Sequence, residues 1–162
     1  MIVFRPPVAF AFSHPAHAVA LGFGAGLSPY APGTAGTLVA WALGWSLAPL
    51  LAPAAMLALG GVLFLAGVWA CEITGKHLGA PDHRAMVWDE IAAFLLILAV
   101  VPREAGWQTA AFILFRFFDI VKPQPIRYFE RRYGGGFGVM FDDLVAAGYT
   151  VLVLAALKRI LP

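Results

Sequence analysis

Two pairs of adjacent carboxylates, Asp89–Glu90 in "MVWDEIAAF" and Asp142–Asp143 in "MFDDLVAAG", stand at the edges of apolar runs. A fifth acid, Asp119, closes another such run in "FRFFDIV". Carboxylates gathered at one place repel one another unless a cation sits among them. No histidine (His14, His17, His77, His83) lies at ligand spacing from these acids, and the lone cysteine, Cys71, cannot build a thiolate cluster. Oxygen-only ligation selects a hard ion, and Mg2+ is the usual choice where a phosphate is also bound. Adjacent helical residues point about 100° apart. One member of each pair can therefore ligate while the other holds a second metal, a water or a proton. The competing reading is helix capping, because acids in a first turn satisfy free N–H groups and suit the dipole. Capping accounts for Asp89 or Asp142 singly. It does not account for Asp119, which closes its helix where the dipole disfavours an anion; Arg116, one turn earlier, is placed to neutralise it.

Cations follow the acids. Between Phe115 and Leu144 lie Arg116, Lys122, Arg127, Arg131 and Arg132, so nearly half of the chain's charge falls in less than a fifth of its length. Lys122 and Arg127 flank the proline-stiffened "KPQPIR" directly after Asp119 and are candidate phosphate ligands, with Arg116 beside them. Arg131 and Arg132 read as a solvated loop facing anionic lipid. Glycines 134–136 and Gly138 either let backbone approach a ligand or form a flexible hairpin. A second Gly/Pro-rich stretch, "GFGAGLSPYAPGTAGTL", precedes the first apolar helix. There Thr34 is the expected N-cap, and Ser28, Thr34 and Thr37 are candidate phosphate donors. It is not a P-loop, for no lysine stands in the required place and no strand precedes it.

The rest of the chain must position these groups in a very apolar medium. Hydrophobic residues make up 61% of the 162 residues and charged ones 12%, against about 25% charged in ordinary soluble domains. Mean hydropathy is +0.82. These values point to a bilayer-embedded single domain over residues 1–162. The net charge of +2, without basic runs interleaved with aromatics on a polar surface, argues against a nucleic-acid partner. The N-terminal "MIVFRPPVAFAFSHPAHAVALGFGAGLSP" is too interrupted for a signal peptide and reads as an interfacial or re-entrant segment.

Five apolar stretches follow: Ala35–Leu51, Ala54–Cys71, Met86–Val101, Trp107–Val121 and Leu144–Leu161. A span needs roughly 20 residues. The second and fifth are long enough and the first is so with its flanks, while the third and fourth are short and need tilt or thinning. Prolines 49, 53, 102, 123 and 125 bound them, and no strand-like alternation occurs. The expected fold is therefore all-α: a membrane-embedded bundle of about five helices with Gly/Pro-rich cytoplasmic loops. Counting alternate connections as one side gives seven basic residues against three. This sets the richer side, and the five acids with it, in the cytoplasm.

These motifs, in this order, resemble the phosphatidylglycerophosphatase A family: "GFGAGLSPYAPGTAGTL", "VWDEIAAF", "FRFFDIVKPQPIRYFE" and "GGGFGVMFDDLVAAG", extending from about Gly22 to Gly148. The resemblance implies a Mg2+-dependent bacterial enzyme of the inner membrane that dephosphorylates phosphatidylglycerophosphate to phosphatidylglycerol. Carried over, the family's acidic positions fall on Asp89, Glu90, Asp119, Asp142 and Asp143. Its basic and proline positions fall on Arg116, Lys122, Pro123, Pro125 and Arg127. Ala93 and Ala147 stand where family glycines are expected. The residues agree with this chemistry. No arginine closes a phosphate loop after Cys71 and no aspartyl-nucleophile motif occurs, which leaves attack by a metal-activated water. In that scheme Asp89, Asp119 and Asp142 hold the metal, Glu90 or Asp143 completes the site or takes the water's proton, and Lys122 and Arg127 bind the terminal phosphate. Two rivals remain at this level: a metal-dependent phosphatase for another lipid or polyprenyl phosphate, and a small non-enzymatic ion-binding membrane protein.

Overall fold

The computed structural model describes residues 5–160, which are helical throughout apart from their connections. Two short helices, α1 (Val8–Ala11) and α2 (Pro15–Ala20), lead into a kinked 3-10 segment, Gly22–Leu27. The bundle follows: α3 (Pro32–Leu47), α4 (Pro53–Leu78), α5 (Trp88–Val100), α6 (Ala105–Val121), the short α7 (Ile126–Arg132) and α8 (Gly135–Ile160). Leu161, the last residue of the fifth expected stretch, and the first four residues of the N-terminal segment lie outside the described residues.

Local chemistry sets the boundaries. Pro15, Pro32 and Pro53 open α2, α3 and α4, where the missing N–H costs nothing and φ is already helical. Gly79 closes α4 in the left-handed region, with Gly79 N–H on the Lys76 carbonyl and Ala80 N–H on the Gly75 carbonyl. Lys122 ends α6 at φ 46°, just ahead of Pro123. The start of α3 differs from expectation: its N-cap is Ala31, in a left-handed conformation, and Thr34 lies inside the first turn. Pro32 takes the first helical position and displaces the start by three residues.

The core is α5. Nearly every residue from Trp88 to Ala99 is buried, because α3, α4 and α8 pack around it. Close packing of the helices requires small side chains at their contacts. A Cβ at Gly44 would run into Leu98, one at Gly60 into Leu96, and one at Gly67 into Met140 and Trp88. Ala93 and Ala147, the two departures from the family pattern, are themselves buried. Away from the charged end, buried Gln108 on α6 accepts the indole N–H groups of Trp41 (2.7 Å) and Trp45 (2.6 Å) on α3.

Among the described residues two helices, not five, are long and apolar enough to cross a membrane: α4 and α8, the second and fifth apolar stretches. At 13 residues, α5 is about 20 Å long and is enclosed by protein. Helices α3 and α6, at 16 and 17 residues, also fall short of a full span. Their outward faces are nevertheless apolar, with Leu38, Trp45, Ile113 and Phe117 exposed, as are Leu57, Leu65 and Leu152 on the long pair.

Candidate metal and phosphate site

The end of α4, the starts of α5 and α8 and the end of α6 meet at one face of the bundle. Asp89 and Glu90 occupy the first turn of α5. Asp142 and Asp143 are not in a first turn, because α8 begins at Gly135 and runs through the whole glycine-rich segment. This helix is extended by tertiary contact, which overrides the low propensity of glycine. Gly136 N–H donates to Glu72 Oε2 on α4 at 2.7 Å, and a side chain at Gly136 would meet the α4 backbone. The glycines bring α8 against α4, and Asp142 and Asp143 lie two turns inside the helix where no cap is needed. The capping reading therefore fails for this pair.

Asp89, Glu90 and Asp143 are buried, and one carboxylate oxygen from each lies within 4.8 Å of the others. Asp89 Oδ1, Glu90 Oε2 and Asp143 Oδ2 are buried without a hydrogen-bond partner. Unsatisfied buried oxygens of like charge are costly, and a hard cation among them removes both the desolvation and the repulsion. The donor set is all oxygen and fits Mg2+, Mn2+ or Ca2+ better than a soft metal. Among the described residues this is the group of histidines, cysteines and acids that converges closely enough to hold an ion.

The other two acids are paired. Arg116 Nη1 lies 2.7 Å from Asp119 Oδ2, one turn along α6, and 3.4 Å from both Glu90 Oε1 and Thr37 Oγ1. Asp119 in turn neighbours Asp143, so it joins the arginine to the triad. Lys122 Nζ bridges Asp142 Oδ2 (2.5 Å) and Glu130 Oε1 (2.8 Å). Burial works against its charged form, but the Asp142 and Glu130 carboxylates outweigh that and hold Lys122 above the usual lysine range. The geometry thus forms a shell: three carboxylates inside, each with one unpartnered oxygen, flanked by Arg116, which pairs with Asp119 and reaches Glu90, and by Lys122, which pairs with Asp142.

The glycine-rich stretch 22–36 lies along this shell. A Cβ at Gly33 would strike Glu90 Oε1 and approach Arg116 Nη2 at 2.9 Å, while one at Gly36 would meet Val87 Cβ at 2.9 Å. Thr37 is fully buried, its hydroxyl donating to the Gly33 carbonyl and facing Arg116. Of the three candidate hydroxyls only Thr37 touches the acidic shell. Ser28 lies farther along, donating to the Tyr30 carbonyl, and Thr34 is half-buried in the first turn of α3. Arg127 is exposed on α7 and donates to the Val121 carbonyl at 3.1 Å, capping α6. Arg131 and Arg132 are exposed. Sequence reasoning missed Glu72, which seats the glycines of α8, and Asp82, which lines a cavity of about 120 Å3 with Glu130 and Asp142. Their type and exposure carry no signal along the chain; only the approach of α8 to α4 reveals them.

Among the described residues, two apolar helices of membrane-crossing length and a buried carboxylate–cation shell whose acidic triad could hold a metal ion define a class: helical proteins with a charged site at one face of an apolar bundle. The particular family follows from comparison. The phosphatidylglycerophosphatase A family profile matches residues 18–158, and the chain belongs to that family. It is 44% identical over 146 residues to phosphatidylglycerophosphatase A of Haemophilus influenzae, covering 90% of each chain. It is 43% identical over 136 residues to the Escherichia coli protein of the same name, covering 83% of this chain and 78% of that one. A Bacteroides thetaiotaomicron protein provisionally named a phosphatidylinositol-3-phosphatase is 39% identical over 150 residues, covering 88% of this chain and 93% of its own. No solved structure matches the chain.

Proposed function

We propose that this protein hydrolyses the terminal phosphate monoester of phosphatidylglycerophosphate, giving phosphatidylglycerol and inorganic phosphate, with Mg2+ as its cation. The reading rests above all on the three unpartnered carboxylate oxygens beside an arginine and a lysine, in a chain whose relatives bear that enzyme's name. Asp89, Glu90 and Asp143 hold the cation, with Asp119 and Asp142 as the paired acids around them. When bound, such an ion polarises phosphoryl oxygens and makes water acidic enough to act as a nucleophile at neutral pH.

The chain's own residues do the rest. Arg116 and Lys122 present cations to the phosphoryl oxygens as charge spreads over them in a loose transition state. Thr37 and Gly33 hold the arginine while leaving room for the phosphate. A carboxylate of the shell takes the proton of the attacking water as the new P–O bond forms. It returns that proton to the glycerol oxygen as the old P–O bond breaks, so atoms and charge balance. The apolar outer faces of α3, α4, α6 and α8 sit in the bilayer with the acyl chains. The α4 and α8 helices cross the inner membrane of a bacterium with the site on the cytoplasmic side, where the basic residues concentrate.

The Bacteroides relative's name carries a second reading, in which the substrate is a phosphoinositide. Phosphate release by purified protein in detergent decides between them. Release from phosphatidylglycerophosphate is expected in Mg2+ and not in EDTA, and it should outpace release from phosphatidylinositol 3-phosphate. Turnover that persists undiminished in Asp89→Asn would sink the metal assignment.

A further inference from the structure

Outside the acidic shell the bundle face carries a second polar cavity, of about 200 Å3, lined by Arg5, Pro6, Gly26, Ser28, Pro29, His83, Arg84 and Ala85. Its charge is unlike that of the shell. Among the described residues Arg116 and Lys122 are each ion-paired, whereas neither Arg5 nor Arg84 has an acidic partner. The Arg5 guanidinium is held by the Leu27 carbonyl, and His83 Nδ1 accepts the Ala85 N–H at 3.2 Å, which fixes the turn that presents Arg84. Two guanidinium groups, a serine hydroxyl and no carboxylate make a receptor for an anion with paired oxygens.

The cavity is tied to the shell by one seam. Gly26 packs on the Ala85 carbonyl, Gly22 and Gly36 pack on Val87, and Gly33 packs on Glu90. The 3-10 segment and the start of α3 therefore run beside residues 85–90, with the arginine cavity at one end and the acidic shell at the other. Ala85 and Asp89 are four positions apart, a span of at most about 14 Å.

We infer that the Arg5–Arg84 cavity binds a second phosphate of the same substrate: the singly charged phosphodiester that joins the diacylglycerol to the phosphorylated headgroup. The inference rests on the lipid-phosphatase reading and deepens it. The shell takes the doubly charged terminal monoester, where a metal can neutralise it. The cavity takes the diester, for which two arginines suffice. A lipid with both groups is thereby held at two points, which selects against monoesters without a diester and orients the terminal phosphate into the shell.

The test uses Arg84→Ala, Arg84→Lys and the Arg5→Ala/Arg84→Ala double variant in phosphate-free non-ionic detergent. Dihexanoyl phosphatidylglycerol, which has the diester and no monoester, is titrated by calorimetry, and KM and kcat are measured on phosphatidylglycerophosphate. Arg84→Ala should raise both Kd and KM by about tenfold, the scale of a lost charge-assisted hydrogen bond, with kcat nearly unchanged; Arg84→Lys should recover part of the loss. An unchanged Kd for dihexanoyl phosphatidylglycerol overturns the assignment, as does a fall in kcat at constant KM. An effect on KM that emerges only when phosphatidylglycerol vesicles are added identifies a neighbouring bilayer headgroup as the occupant and also overturns it. Failure of the wild-type protein to release phosphate would count against the phosphatase reading alone, because the calorimetric arm does not depend on turnover.

Discussion

Lys122 is the residue on which the shell's charge balance turns, because it is a non-glycine held at positive φ and its ammonium is shared by two carboxylates. The left-handed conformation costs on the order of 1 kcal/mol, which the two short ion pairs offset. Removing the ammonium would leave Asp142, almost fully buried, without its counter-charge. Lys122→Ala should therefore destabilise the folded protein by roughly 3 kcal/mol, read as a lower thermal midpoint in detergent. The Lys122→Ala/Asp142→Asn double variant should recover most of that loss while remaining inactive. A double variant no more stable than the single one would show that the pair is not coupled. Arg116 was legible in advance as the partner of Asp119, because i,i+3 spacing on one helix is enough to pair them. Its reach to Glu90 and Thr37 was not, since those contacts join three separate helices.

Among the elements, α1 and α2 join the apolar core through Ala11, Ala16 and Ala20 and add an imidazole cluster against α4. His17 is buried, stacked on Phe10 at 4.1 Å between ring centroids, with Nε2 2.8 Å from His77 Nδ1 and Nδ1 3.1 Å from the Phe10 carbonyl. His14 and Ser13 complete the cluster. Burial, reinforced by the neighbouring His77 and His14, pushes the His17 pKa down despite the carbonyl that favours protonation. A pKa below the unfolded value of about 6.5 means that the stabilisation is complete above that pH and is lost as pH falls through the lowered value. Acidification should loosen α1 and α2 from α4 before the bundle melts. Hydrogen exchange in residues 8–20 should accelerate between about pH 6.5 and 5, and His17→Phe should abolish that dependence. The long apolar helices α4 and α8 were readable from composition alone. The early start of α8 was not: three consecutive glycines read as a hairpin until Glu72 on α4 is seen to receive them. The shortness of α5 was likewise visible, but its cause, enclosure by three other helices, exists only in three dimensions.

At the scale of the whole molecule, folding must bring three buried carboxylates together, so on the proposed metal role stability and cation binding are linked. A ligand that binds only the folded state stabilises it by about 2.7 kcal/mol at a hundredfold excess over its Kd. Mg2+ should raise the thermal midpoint of the detergent-solubilised protein and EDTA should lower it. Asp143→Asn should raise the midpoint in EDTA, by removing one repelling charge, and should blunt the Mg2+ response. A midpoint indifferent to both cation and mutation would mean that the triad does not hold an ion. The convergence of acids at one face was foreseeable from topology, even with five spans expected in place of two. Which three acids would meet was not, because the close pairing of Asp119 with Arg116 and of Asp142 with Lys122, set against the longer reach of Arg116 to Glu90, depends on how separate helices pack.

The pairing of Gln108 with Trp41 and Trp45 gives the molecule an optical asymmetry. Two of its five indoles are pinned to one amide oxygen at the end remote from the carboxylates, where a ligand should leave their emission unchanged. Trp88, next in sequence to Asp89, donates instead to the Leu63 carbonyl at 2.9 Å and lies edge-on to Phe23, between the shell and the glycine seam. Among the five indoles, Trp41 and Trp45 thus serve as a remote reference and Trp88 as a local reporter. Replacing Trp88 with phenylalanine would leave the reference in place and separate the two signals without any added dye.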